Sequence, residues 1–194
     1  MEDPLNTEHL LMDAVNILLE SINELPIEDE EDYDNIIEAR QARAKLVEVK
    51  RAVLSEGWDV NTDEDWIFSI TTTGEIPIPT NVLDISSDDG DILNRNWRLY
   101  SRSNQSHIFT EEVACKVVWD VDFNSLSHPL RHYITIRAAR VFQGRYIGDT
   151  EALQINEVDE EDARLAARRS EGRTKKPNIL TSGNYGLTNR IRTS

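Results

Sequence analysis

The sequence predicts an α+β fold, a four-helix bundle with a β-rich insertion between its second and third helices, and three observations carry that reading. Apolar residues recur at a spacing near 3.6 towards both ends of the chain. Between Trp58 and about Phe123 the period changes, and β-branched and aromatic residues cluster between Gly, Pro, Asn and Asp punctuation. Beyond Gly172 neither period continues. The predicted organisation is therefore residues 1–57 for the first two helices, 58–127 for the β-rich insertion, 128–171 for a closing helical hairpin and 172–194 for an extended C-terminal arm. A chain of 194 residues is long enough for one medium domain with a buried core.

The first helix is predicted from about Thr7 to Asn23, because Leu10, Leu11, Ala14, Val15, Leu18, Leu19 and Ile22 fall on one face. Thr7 suits the N-cap, Glu8 suits the positive end of the helix dipole, and Pro26 follows the end. Residues 26–34 are so acidic that a solvated loop is expected. A second helix is predicted from Asp34 to Glu56 on the spacing of Ile36, Ala39, Ala42, Leu46, Val49 and Val53, with Gly57 as its stop.

Strands are expected at Trp66–Thr72, Val82–Ile85, Trp97–Tyr100 and Glu112–Trp119. Pro77 and Pro79 keep Ile78 out of a central strand, since each proline removes a ladder donor. Turns are expected at residues 88–91 and 101–106. The third helix opens on Ser127-His128-Pro129 and buries Leu130, Tyr133, Ile134, Ala138, Val141 and Phe142. After Gly148, Asp149 or Thr150 caps a fourth helix reaching about Ser170, antiparallel to the third because the turn is so short. Its apolar stripe, Ala152, Leu153, Ile155, Ala163 and Ala166, is sparse. The Lys-Lys-Pro and Gly-Asn-Tyr-Gly stretches that follow are expected to order only on a partner.

Charge separates the two ends. The chain has 36 acidic against 21 basic residues, a net charge of −15. Residues 1–39 hold thirteen acidic groups and no Lys or Arg, whereas Glu171–Ser194 carries Arg173, Lys175, Lys176, Arg190 and Arg192 against Glu171 alone. An acidic surface disfavours nucleic acid as a ligand, because phosphate contacts need positive charge. No apolar run is long enough to span a membrane, and the acidic Met1-Glu2-Asp3-Pro4 start is unlike a signal peptide, so an intracellular start is expected. The single cysteine, Cys115, excludes an intrachain disulfide and a multi-cysteine zinc site.

The search for chemistry leaves nucleotide catalysis and serine hydrolysis of the nucleophile-elbow type unsupported. The dinucleotide fingerprint, the P-loop and the Gly-x-Ser-x-Gly elbow are all missing. His128 and His132 are four apart, but the glutamate of the zincin pattern does not follow His128, and a surface or capping role is the simpler reading. Asp59, Asp63, Glu64 and Asp65 beside Trp58 and Trp66 resemble an acidic sugar cleft with aromatic platforms; core tryptophans flanked by solvated charge are the simpler alternative. Cys115 reads as a small buried residue, and Asp120 and Asp122 as strand-end or turn residues. Residues 159–162, Asp-Glu-Glu-Asp, followed by Arg164, Arg168 and Arg169, place acid early and base late in the last helix. A solvated face tuned to the helix dipole explains this, and so does a contact between subunits.

Several local patterns occur in order and at compatible spacing: Ala14-Val-Asn-Ile-Leu-Leu-Glu-Ser-Ile-Asn-Glu-Leu-Pro, Ser55-Glu-Gly-Trp-Asp-Val-Asn, Ile76-Pro-Ile-Pro-Thr-Asn-Val-Leu, Arg131-His-Tyr-Ile, and Arg137-Ala-Ala-Arg-Val-Phe-Gln-Gly-Arg-Tyr-Ile-Gly before an Ala- and Glu-rich helix. Together they resemble the tail tubular protein A family of T7-like short-tailed bacteriophages. The resemblance covers about residues 10–170. It implies a virion protein of the tail and connector region, assembled in the host cytoplasm: a head-to-tail adaptor, or gatekeeper, forming a twelve-subunit ring between the portal protein and the nozzle of tail tubular protein B. Tail fibres would dock nearby, and DNA would pass through the channel without specific binding.

Three expectations combine that resemblance with the residues. Glu157, Asp159, Glu160, Arg164, Arg168 and Arg169 contribute to a subunit interface, the arginines meeting a neighbour's acids. The arm docks on the portal, with Tyr185, Leu187 and Ile191 as anchors and Arg173, Lys175, Lys176, Arg190 and Arg192 steering towards an acidic surface. Some of the excess acid faces the channel and repels DNA, with residues 28–34 as likely to lie outside as inside. A polysaccharide-hydrolase side activity and an unrelated helical scaffold remain the alternatives.

Overall fold

The structure is a computed structural model that describes residues 10–29, 31–146 and 150–174, with side chains in the last range from 157 to 172. Among these residues the fold is mixed: helices α1 (Leu10–Glu20), α2 (Asp32–Asn35), α3 (Ile37–Leu54), α4 (His128–Tyr146) and α5 (Thr150–Thr174), and strands β1 (Thr62–Ile67), β2 (Val82–Ser86), β3 (Ile92–Arg95), β4 (Arg98–Ser101) and β5 (Ala114–Trp119). The expected α+β class holds.

The helices share one apolar core. Val15, Leu18 and Leu19 of α1, Leu46 and Val53 of α3, Tyr133, Ile134 and Phe142 of α4, and Ala163 and Ala167 of α5 meet there. Helix α4 is central: α3 and α5 each pack on it, and α1 packs on both α3 and α4. Among the described side chains α5 brings alanines to this core, so its backbone can approach α4 closely there. The buried pair is Ala163 and Ala167, four apart, whereas Ala166, expected in the stripe, is exposed. Tyr146 at the end of α4 hydrogen-bonds Gln41 near the start of α3, and Arg137 reaches Glu56 just past the end of α3. Helix α3 is thus antiparallel to α4. The pairs Arg140–Glu157 and Arg137–Glu160 set α5 antiparallel to α4 as well, so α3 and α5 run in the same direction.

Two boundaries differ from expectation for local reasons. The acidic segment 26–34 is not wholly solvated, because Ile27 and Tyr33 are buried. Asn16 of α1 clamps Ile27 by donating to its carbonyl at 3.0 Å and accepting its N–H at 2.9 Å. The short α2 then forms before α3. Asn23, at φ 61°, lets the Glu24 N–H return to the Leu19 carbonyl and end α1. At the other end, α5 continues through Gly172 to Thr174, four residues past the expected stop, so residues 172–174 are helical rather than extended.

The β-rich part has its own core of Phe68, Ile76, Ile78, Val82, Ile85, Ile92, Leu99, Cys115 and Val117. Strands β1 and β2 flank β5 antiparallel, each with an irregularity in register, and β3 and β4 form a separate hairpin. The first strand is Thr62–Ile67 rather than Trp66–Thr72. Its residues past Thr62 are all exposed, so it lacks the alternation by which a half-buried strand is recognised. Strand β3 is short and follows a turn, and was not expected. Trp97, expected inside a strand, instead forms with Asn96 the two-residue hairpin turn, both at positive φ, which a type I′ turn requires. Ile76 and Ile78 are buried beside β4 without joining a named strand, in line with the two prolines.

Candidate interface surfaces and the site that supports them

The best-organised polar site lies where α5 crosses α4 and the end of α3. Arg140 of α4 pairs with Glu160 at 2.5 Å and Glu157 at 3.4 Å. Arg137, one turn earlier, donates to the Tyr133 hydroxyl at 2.8 Å and pairs with Glu56 at 3.3 Å and Glu160 at 3.7 Å. Burial alone would lower the Arg137 pKa, but the Tyr133 hydroxyl and the two carboxylates outweigh it and raise the value, so the guanidinium stays charged. Burial raises the Tyr133 pKa, and the arginine offsets this only in part, so the phenol stays protonated.

Towards the end of α5, Arg168 pairs with Glu56 at 3.0 Å and with Glu171 at 3.2 Å, and its guanidinium carbon sits 3.7 Å from the Trp58 ring centroid. Glu171 in turn accepts the Asp59 N–H at 2.6 Å. Trp58 is only 1% exposed, donates its indole N–H to the Val53 carbonyl at 2.8 Å and packs on Tyr133. It cannot act as a sugar platform. Trp66 lies on β1 against Trp119 and Phe68, and Asp63 accepts the Trp119 indole N–H at 2.8 Å. The two tryptophans and their acids therefore do not line one cleft.

Of the residues expected at a subunit interface, the structure gives Glu157, Glu160 and Arg168 partners within the chain. Arg164 is exposed and pairs with Glu161 one turn away at 3.7 Å. Asp159 and Arg169 are exposed. Arg173 lies in α5 with its side chain outside the described set, and Lys175, Lys176, Tyr185, Leu187, Arg190, Ile191 and Arg192 lie outside the described residues. The described acids Glu28, Asp29, Glu31 and Asp34 are exposed, and Asp32 is half-buried.

Two structural residues gave no useful signal in the sequence. Asn61, 1% exposed, accepts the Trp58 N–H at 2.9 Å and donates to the Leu54 and Trp119 carbonyls at 3.1 and 2.7 Å. It joins the end of α3 to the end of β5. Asp120, read only as a strand-end or turn residue, pairs with Lys50 at 2.7 Å and Arg51 at 2.8 Å across about 70 residues of sequence. Separation of that kind leaves no local pattern to read.

Other candidates for chemistry resolve into structure. His128 and His132 stack with centroids 6.4 Å apart and planes 10° from parallel. Among the described residues, no group of three or more His, Cys, Asp or Glu is placed to hold a metal ion, and no helix is long and apolar enough to cross a membrane. A surface depression of about 460 Å³ is lined by Glu64, Asp65, Asp88, Asp89 and Asp91. Asp89 and Asp91 organise turns there: Asp89 accepts from Ser87 at 2.6 Å, and Asp91 accepts from Ser101 at 2.7 Å and from the Ser103 N–H at 2.6 Å. Those hydrogen bonds hold both carboxyls below their usual range.

Comparison with known proteins shows the family. A family model described as Tail tubular protein matches residues 12–177, which spans nearly all the described helices and every strand. The tail tubular protein A of Klebsiella phage KP34 is 29% identical over 142 residues, covering 72% of this chain and 75% of that protein. With the family match extending over most of the sequence, the chain belongs to the tail tubular protein family and is a structural component of a phage tail.

Proposed function

We propose that the protein is the adaptor ring between portal and tail nozzle in a short-tailed phage, with twelve copies surrounding part of the DNA channel. The observation that carries this reading is the extent of the family match, which runs through both cores rather than one shared motif. A ring closes only through heterologous side-to-side contacts, and the exposed face of α5 has the mixed apolar and charged composition such contacts use. The portal is the partner above, a nozzle of tail tubular protein B the partner below, and fibres attach nearby. The role is structural, without a cofactor or a catalytic step, and burial of Trp58 under Arg168 argues against a polysaccharide site at the acids around it.

Within this reading the arm after α5 reaches the portal, with Tyr185, Leu187 and Ile191 as anchors and its basic residues, from Arg173 to Arg192, giving electrostatic attraction. The excess of acid over the rest of the chain keeps channel DNA from adhering. The test is the mass of the purified protein by light scattering, alone and with a purified portal ring. A twelve-copy ring in either condition supports the adaptor role. A monomer or dimer indifferent to the portal overturns it.

A further inference from the structure

Helices α3 and α5 each present one outward stripe, and the two stripes match. On α3 the residues turned away from the buried Ala39, Ala42, Leu46, Val49 and Val53 include Ile37, Arg40, Ala44 and Glu48, all exposed. On α5 the residues turned away from Ala163 and Ala167 are Val158, Glu161, Leu165 and Arg169, also exposed. The intervals are the same on both helices: three residues, then four, then four. Ile37, Val158 and Leu165 are 56, 64 and 41% exposed, so both stripes carry large apolar side chains that the chain itself leaves uncovered. The helices as wholes are opposite in charge. Five basic and two acidic residues give α3 a net of +3, and four basic and seven acidic residues give α5 a net of −3.

From this matching we propose that α5 of one copy packs alongside α3 of the next, in parallel, with Val158 against Ile37, Glu161 against Arg40, Leu165 against Ala44 and Arg169 against Glu48. The proposal rests on the ring reading and names the two surfaces that make the ring. Direction follows from symmetry. A twelve-fold axis turns each subunit by only about 30° from the next, so a helix of the neighbour keeps nearly its own direction. Since α3 and α5 run the same way within one copy, the neighbour's α3 meets α5 in parallel, the orientation that brings all four pairs into line. Helix α4 lies between α3 and α5, so their outward faces are separate surfaces, as a heterologous contact requires. The central pairs bring a large side chain against a small one and an acid against a base, so the axes can approach to the usual ~8–10 Å.

The chain's own contacts leave these groups accessible. Arg40 makes no ion pair among the described residues, and Glu161 holds Arg164 only at 3.7 Å. Glu48 pairs with Lys45, and its side chain is 64% exposed. The interface keeps one contact of the expected sign, Arg169 with a neighbour's acid, adds Glu161 against a neighbour's arginine, and leaves Arg168 facing inward.

The test uses the full chain, assembled alone or on a purified portal ring. Arg40→Cys and Glu161→Cys placed in one chain should oxidise into a ladder of linked copies. Each single variant alone should give no linked dimer, and a mixture of the two should. Native Cys115 is 1% exposed, and burial pushes its thiol to about 11, so it stays silent. Arg40→Glu should lower ring formation by roughly tenfold or more through like-charge contact, and adding Glu161→Arg should restore it. Rings of normal mass from Arg40→Glu, or a formed ring whose paired cysteines do not link, overturn this interface while leaving the adaptor role standing. A wild-type chain that never forms a ring overturns both.

Discussion

The guanidinium of Arg168 lies 3.7 Å over the ring of Trp58, and it holds Glu56 and Glu171 at the same time. One side chain thus fixes the last turns of α5 to the end of α3 and closes the helical core over its largest buried residue. The indole is shielded on one face by the cation and on another by Tyr133.

Arg168→Ala should lower stability by about 1–2 kcal/mol, because a partly desolvated cation–π contact and two ion pairs are lost together. Arg168→Lys should recover only part of that, since an ammonium cannot stack flat on the ring. Arg169→Ala, on the exposed side of the same helix, should leave monomer stability within about 0.5 kcal/mol of wild type. Urea unfolding of the three variants checks this, and equal losses at 168 and 169 would contradict the assignment. Charge reversal at Arg168 is a poor probe of ring assembly because it perturbs the fold as well.

Asn61→Leu should cost about 3 kcal/mol, despite adding apolar volume, because the Trp58 N–H and the Leu54 and Trp119 carbonyls lose their buried partner. Asn61→Ser should be nearly as damaging, since the shorter side chain cannot span α3 and β5. Thermal unfolding of each variant measures the loss, and a shift in Tm of less than a degree would show that water replaces the amide.

Asp120 sets part of the acid limit of stability. Burial would raise its pKa, but hydrogen bonds from Lys50 and Arg51, and their charges, win and hold it below the ordinary value of 3.8. A depressed folded pKa gives stability that is present above the unfolded value and is lost as pH falls through the folded one. Wild type should therefore lose this contribution only below about pH 4. Asp120→Asn should be weaker at neutral pH by about 1–3 kcal/mol and should show a flatter acid limb. Parallel unfolding curves for the two proteins from pH 6 to pH 2.5 would refute the role.

The sequence was most legible where one helix face must be buried. The buried stripes of α1, α3 and α4 follow from period, except that Ile36, expected in the stripe, precedes α3 and is exposed, and Gly57, at φ 73°, follows α3 as expected. It was least legible where burial depends on a distant partner. β1 carries Asp63, Glu64 and Asp65 in succession and reads as a loop until β5 pairs with it. Trp97 reads as strand because an aromatic side chain favours that state, yet the closure of β3 on β4 places it in the turn. Among the described side chains the α5 stripe was misjudged at Ala166, since alanines carry too little hydrophobic signal to define a face, while Ala152, Leu153 and Ile155 lie outside the described side chains.

By itself, then, the sequence determined the α+β class, the succession of helical, β-rich and helical segments, the charge separation and the family. Each of these depends on local period, composition or ordered short patterns. The tertiary structure alone decided which charges are spent inside the chain and which remain outward. Arg168 and Glu160 adjoin Arg169 and Glu161 in sequence, and only a rotation of 100° per residue about an axis packed on α4 separates the charges that hold the fold from those turned outward.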